Sequence, residues 1–329
     1  MQNIYTDLAL EMAEQLQDES GIEGVEVDVE NDKKDIKVTT VRIINEKGAA
    51  SMGKTMGSYI TVESPEIKAN NVTAHEEIIG ILTDKLAFLA KGVDATCGTV
   101  LVIGLGNRNV TPDSLGPKVI SKILVTRHIM DNLPQELEGG LRTLCALSPG
   151  VMGNTGIETA EVVRGLIEHV RPSLIIAIDA LAARRINRIN QTIQLSDTGI
   201  SPGAGVGNIR MPLNKEHLGV PVIAIGVPTV VDAATFVNDT MDMFLSQMAE
   251  SAHEDLMDGI NFFKMLEKLD EKDKYTVIRN TLNTMVGNMF VTPKEIGEVV
   301  AWLSSMIANA INMAMHDGID RDDINRFMY

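Results

Sequence analysis

Short runs of unbroken apolar residues alternate with amphipathic stretches through the middle of this chain. Thr99 to Gly104, Ser173 to Asp179 and Val220 to Gly226 are dominated by Val, Ile, Leu and Ala. Gly116–Ile129, Ile157–Val170 and Val231–Met248 carry apolar positions at helical spacing. Continuous apolar strands separated by such helices predict an α/β fold, a mostly parallel sheet sandwiched by helices. A further helix is predicted over about 73–90. Ahead of this unit, Ile4, Leu8, Met12 and Leu16 form an i,i+4 stripe that suits a helix over 4–17. Val25, Val27 and Val29 alternate with Glu26, Asp28 and Glu30, the pattern of a half-buried strand. A turn over 31–35 and the β-branched run Ile36 to Ile44 complete a predicted N-terminal β hairpin, and Gly57 to Glu63 reads as another strand. Near the C-terminus, Thr292-Pro293-Lys294-Glu295 has the form of a capping box opening a helix that runs to about Met315. The expectation is one α/β unit with the hairpin before it and a helical C-terminal addition.

Composition narrows the function classes. The 329 residues are 44 % apolar and 22 % charged, enough to bury a sizeable core. A formal net charge of −16 argues against nucleic acid or an anionic membrane as partner. There is no apolar run of about eighteen residues, so no membrane span is expected. The segment Met1 to Glu19 is acidic where a signal peptide is basic and then apolar. The two cysteines, Cys97 and Cys145, lie far apart and form neither a zinc pattern nor a disulfide framework, which fits a reducing cytoplasm. Aromatics make up 4 % of the chain, a poor basis for stacking on bases or sugars, and the eighteen methionines read as core filler.

Candidate chemistry gathers at the carboxyl ends of the predicted strands, where open α/β sheets hold their ligands. Gly104-Leu105-Gly106-Asn107-Arg108-Asn109 follows a strand, but Asn109 occupies the third glycine position of a dinucleotide fingerprint, and Pro112 interrupts the segment. That loop delivers Asp113, and Asp179 ends the next apolar run. Two carboxylates at neighbouring strand ends raise one another's pKa, so one can act as general acid while the other activates water. Taken alone, each Asp is better explained as a helix cap or turn residue. Other constellations carry less. His75-Glu76-Glu77-Ile78-Ile79 lacks the second His of a zincin helix. Gly203 to Asn208 is either a substrate-side loop or a plain connector. The run Arg184-Arg185-Ile186-Asn187-Arg188 tunes the carboxylates, holds an acidic substrate side chain, or is an ion-paired surface.

Longer motifs are more specific. Gly104-Leu-Gly-Asn-Arg-Asn-Val-Thr-Pro-Asp113-Ser-Leu-Gly-Pro117 resembles the signature loop of the germination proteases of spore-forming bacteria. So do Leu147 to Glu158, Ile178 to Arg184, Gly199 to Asn208, Gly226 to Asp232 and Phe290 to Ile296, and the resemblance extends over essentially the whole chain. It implies an endopeptidase that degrades small acid-soluble spore proteins, with a fold similar to the hydrogenase-maturation peptidases and a homotetrameric active form. It implies catalytic aspartates at Asp113 and Asp179, and a cytoplasmic place in the forespore or spore core. It also implies a zymogen that removes its own N-terminal segment, at sites that read Glu or Asp, a large apolar residue, Ala, then an acid. Thr6-Asp7-Leu8-Ala9-Leu10-Glu11 fits that pattern. The scissile bond expected is therefore Asp7–Leu8, with residues 1–7 as pro-segment and 8–329 as the peptidase domain. None of His75, His128, His169, His217, His253 or His316 matches the ligand position of the maturation peptidases, so no metal and no cofactor is expected. The rival readings are a metal-dependent peptidase of the maturation type and a non-catalytic spore protein on the same sheet.

Overall fold

The computed structural model describes residues 6–16, 21–33, 35–93, 98–130, 140–204, 210–251, 271–287 and 289–316. The strands are β1 (Val25–Lys33), β2 (Ile36–Ile43), β3 (Gly57–Glu63), β4 (Val100–Gly104), β5 (Leu144–Leu147), β6 (Leu174–Ala183), β7 (Thr192–Ser196), β8 (Val222–Asp232) and β9 (Phe290–Val291). The helices are α1 (Ala9–Leu16), α2 (Glu46–Met52), α3 (Val72–Gly92), α4 (Leu115–Ile120), α5 (Met152–Thr155), α6 (Thr159–Val170), α7 (Lys215–Leu218), α8 (Ala233–Ser251), α9 (Glu271–Val286) and α10 (Ile296–Met315). All strands join one sheet in the order β1-β2-β3-β7-β8-β6-β4-β5, with β9 added to β8.

The α/β reading holds, and the sheet is mixed. β5, β4, β6 and β8 run parallel. The hairpin β1–β2 and β3 continue the same sheet antiparallel through β7. Alternate residues of the central strands feed two cores, as a pleated strand requires. Val100, Val102, Ile176 and Ile178 pack with α3, α4 and α10, through residues such as Leu82, Val119 and Leu303. Leu101, Ile103, Ile175 and Ala177 pack on the opposite face with Ala160 and Val163 of α6. A third cluster, with Ala9, Ala13 and Met52, seats α1 and α2 over Val41, Ile43 and Tyr59.

Several sequence expectations are corrected. The helix expected over Gly116–Ile129 stops at Ile120. Beyond it, Lys122 and Ile123 make tight turn bonds, Leu124 N–H is taken by Asn312 Oδ1, and the N–H groups of Thr126 and Arg127 both go to the Leu144 carbonyl. Tertiary acceptors thus replace the i−4 carbonyls. The capping box at Thr292 does not form. Thr292 Oγ1 donates to the Thr229 carbonyl while its neighbours Phe290 and Val291 pair with β8, so the helix opens at Ile296. β1 is an edge strand whose Val27 and Val29 are 39 % and 47 % exposed, so its apolar face is not half-buried as expected. The apolar runs ending at Asp179 and Gly226 do not end there as strands: β6 reaches Ala183 and β8 reaches Asp232. Residues 4, 5 and 17 of the expected N-terminal helix lie outside the described residues, and the helix itself runs from Ala9 to Leu16. Among the described residues no helix is long and apolar enough to cross a membrane.

Candidate active site

The loop that follows β4 is shaped by close backbone approach. A Cβ on Gly104 would lie 2.3 Å from the Gly116 carbonyl oxygen, and one on Gly116 would lie 2.2 Å from that of Leu105. Gly106 adopts φ +104°, and a Cβ there would meet the Asp113 carbonyl oxygen at 2.1 Å. The glycines of Gly-Leu-Gly and Gly-Pro therefore let the strand end touch the start of α4, a steric role and not the cradling of a phosphate. The turn carries Asp113 back over the strand end. Asn107 N–H donates to Asp113 Oδ2 at 2.7 Å, and Asp113 N–H bonds the Val110 carbonyl at 2.9 Å.

Asp179 reaches the same place by a different route. The β4–β6 ladder ends with Gly104 opposite Ile178, and Leu105 N–H bonds the Ile178 carbonyl at 2.8 Å. Asp179 is thus the first residue of β6 beyond the end of β4, although it lies inside its own strand opposite Gly226 of β8. It is 6 % exposed, and its Oδ1 accepts only from the adjacent Ala180 N–H among the bonds identified for it, at 2.9 Å. Burial, then the neighbouring charges of Asp113 and Asp7, push its pKa well above the usual aspartate range. Asp113, half-buried, is also raised by burial, with the Asn107 N–H pulling the other way. The two carboxylates are unequal: Asp179, the more deeply buried, is pushed up further than Asp113.

Both line a cavity of about 580 Å³, together with Leu105, Gly150, Thr229 and Asp7. Asp7 is placed firmly. Its N–H donates to the Ala182 carbonyl at 3.0 Å, and its Oδ2 accepts from Ala182 N–H at 2.9 Å. Leu8 is fully buried with Leu181, Ala183, Ile189 and Val231. Asp7 therefore pairs with β6, and the Leu8 carbonyl accepts from Met12 N–H at 3.4 Å, so α1 opens directly after Leu8, at Ala9. Glu11 is buried, accepts from the Arg184 and Arg185 N–H groups at 2.7 and 2.9 Å, and bonds Thr6 Oγ1.

The remaining sequence candidates fall elsewhere. Arg188 is buried and pairs with Glu14 at 2.6 Å and Glu63 at 2.8 Å, not with either aspartate. His75 Nε2 lies 3.1 Å from the Glu66 carbonyl oxygen, and its ring sits beside Trp302. Gly203 borders the cavity, whereas Gly205 to Asn208 lie outside the described residues, as does Cys97. Cys145 is a free, half-buried thiol. Among the described residues no three His, Cys, Asp or Glu side chains are grouped as metal ligands. Sequence reasoning missed Lys54 and Gln194, which contact Asp7 from elements distant in the chain and carry no local signal.

Comparison with known proteins identifies the family. The family model described as germination protease matches residues 4–259 and 249–328. The germination protease of Clostridium tetani is 47 % identical over 328 residues, covering 99 % of both chains. That of Clostridium acetobutylicum is 45 % identical over 331 residues and 100 % of both, and that of Bacillus mycoides 39 % identical over 99 % of this chain and 97 % of its own. With a family model spanning nearly all of the chain and relatives this similar end to end, the chain belongs to the germination protease family and is a peptidase.

Proposed function

We propose that this chain is a self-processing endopeptidase of spore germination that uses Asp113 and Asp179 to activate water. In this reading it cuts its own Asp7–Leu8 bond, releasing residues 1–7 as a pro-segment from the peptidase domain 8–329. The observation that carries it is the shared cavity: a raised carboxylate pair and Asp7 border the same space, and Asp7 itself contributes to the shift of Asp179. The chain is thereby poised to act on a segment that fits its own expected substrate pattern.

The chemistry follows from the asymmetry of the pair. Asp113, as carboxylate, takes a proton from a water molecule. The water oxygen bonds to the Asp7 carbonyl carbon, and the carbonyl π pair moves to its oxygen. As that pair returns, the Asp7–Leu8 bond breaks and Asp179 delivers its proton to the leaving Leu8 nitrogen. The products are a carboxyl at Asp7 and an amine at Leu8, and proton exchange with solvent resets the pair. Residues 7–11 also supply a physical basis for the pattern acid, large apolar, Ala, x, acid. Ala182 N–H receives the first carboxylate, a closed apolar cluster receives Leu8, Ala9 has no room to grow, and the Arg184 and Arg185 N–H groups receive Glu11. Small acid-soluble spore proteins as substrates, a homotetrameric active form and a place in the forespore or spore core rest on the family resemblance.

The test is to incubate the purified full-length chain and sequence any new N-terminus, then to add a small acid-soluble spore protein. A terminus at Leu8 and cleavage of the added protein are expected. Asp113→Asn and Asp179→Asn are each expected to slow both by about 10²–10⁴-fold. A new terminus elsewhere, or either variant cleaving at the wild-type rate, overturns the assignment.

A further inference from the structure

We propose that Lys54 and Gln194 form the oxyanion-stabilising pair of this peptidase, acting on the carbonyl oxygen of the residue before the scissile bond. The inference rests on the reading that Asp7–Leu8 is that bond. The Asp7 carbonyl oxygen accepts from Lys54 Nζ at 2.9 Å and from Gln194 Nε2 at 3.3 Å. Two side-chain donors converge on the one atom that becomes negative when water adds to the adjacent carbon.

Each donor is set by its own element. Lys54 follows the left-handed Gly53 that ends α2, and its own N–H is tied to the Ala49 carbonyl at 3.2 Å. Gln194 belongs to β7, between Leu195 and Ile193, and is largely buried. Its Oε1 accepts from Ala9 N–H at 2.7 Å, so one amide clasps both sides of the Asp7–Leu8 bond. That second contact also fixes which end of the amide faces the carbonyl. The geometry is complementary to the aspartates. Asp7 borders the cavity that holds Asp113 and Asp179, and also a second cavity, of about 380 Å³, lined by Lys54, Gln194, Tyr59 and Gly226. Asp7 thus borders both the cavity of the aspartates and the cavity of the two donors.

The charge balance favours a role in the transition state. Burial lowers the Lys54 pKa, while the carboxylates of Asp7 and Glu11 oppose that shift. A half-buried ammonium gains little from a neutral carbonyl and more from an oxyanion, which is differential binding of the kind that raises rate. The bond changes are those already written for water addition. Lys54 and Gln194 donate hydrogen bonds throughout and transfer no proton.

The experiment follows the appearance of the Leu8 terminus in full-length protein carrying Lys54→Met, Lys54→Arg, Gln194→Leu or Gln194→Glu, with thermal melting of each. Lys54→Met is expected to slow processing by about 10²–10³-fold. Lys54→Arg, which keeps the charge, is expected to recover part of that loss. Gln194→Glu keeps the size and the acceptor for Ala9 N–H but loses the donor, and is expected to slow processing as Gln194→Leu does. If the wild-type chain produces the Leu8 terminus and Lys54→Met and Gln194→Glu produce it equally fast, the pair is wrongly assigned and self-processing stands. Equal slowing in Lys54→Met and Lys54→Arg with equal falls in melting temperature also overturns the pair, because packing alone explains that result. If the wild-type chain yields no Leu8 terminus, both the pair and the self-processing reading fall.

Discussion

Asp179 occupies a place where ionisation is unfavourable, and that fact has consequences for both stability and rate. Its folded-state pKa is raised by burial and by the charges of Asp113 and Asp7. Between the ordinary aspartate range and that raised value, the folded chain binds a proton that the unfolded chain has lost. Stability contributed by the protonated form is therefore full at lower pH and falls as pH rises through this window. Asp179→Asn is isosteric and neutral at every pH. It is expected to melt at a higher temperature than the wild type at neutral pH, with the difference shrinking as pH approaches the ordinary aspartate range; paired thermal scans measure this. The same shift governs the proposed self-processing. In the proposed mechanism the step needs Asp179 protonated and Asp113 ionised, and Asp113 is raised less because it is less deeply buried, while Asn107 N–H bonds its carboxylate. Processing is expected to accelerate as pH falls from neutral into the mildly acidic range, then to decline once Asp113 takes up a proton. A time course of the Leu8 terminus across that range checks both limbs, and a rate that only falls with acid would rule out this division of roles.

At the level of elements, the decisive piece is the turn from β4 into α4. Gly116 touches the Leu105 backbone so closely that a methyl group has no space, and the contacting atom is a carbonyl oxygen and not a flexible side chain. Gly116→Ala is expected to displace the loop that carries Asp113. Activity should fall by at least 10²-fold, as misplacing a reacting group by about 1 Å does, and far-ultraviolet circular dichroism at low temperature should confirm that the sheet persists. The glycine spacing was legible in the sequence, but its reason was not, because a dinucleotide turn and a strand–helix contact use glycine alike. Strands with long apolar runs were equally legible. β5 was not, because the four residues Leu144-Cys-Ala-Leu147 are too few to set a period, and β7 was not, because the polar–apolar alternation of Thr192-Ile-Gln-Leu-Ser196 runs for only five residues. α4 was read too long because its helical pattern continues while its backbone donors find the Leu144 carbonyl and Asn312 instead.

Across the whole molecule, the N-terminal segment ties the antiparallel and parallel halves of the sheet together at the site. Leu8 is fully enclosed by residues of β6, β8 and the loop at Ile189. Leu8→Ala is expected to cost about 2–5 kcal/mol, read as a lower melting temperature and faster nicking of residues 6–11 by an unrelated protease. A chelator is expected to leave cleavage unchanged in a direct activity assay, since the proposed mechanism activates water with Asp113 and Asp179 alone. The sequence by itself determined the α/β class, the hairpin, the central apolar strands and the identity of Asp113, Asp179, Asp7 and Leu8 as candidates. These follow from side-chain periodicity and from motifs contiguous in the chain, which survive without knowledge of packing. Only the tertiary structure decided that β6 runs on past Asp179, that the two carboxylates differ, and that Asp7 borders their cavity while its carbonyl accepts from Lys54 and Gln194. Those properties depend on desolvation and on contacts between residues 47 to 187 positions apart, and no local pattern encodes either.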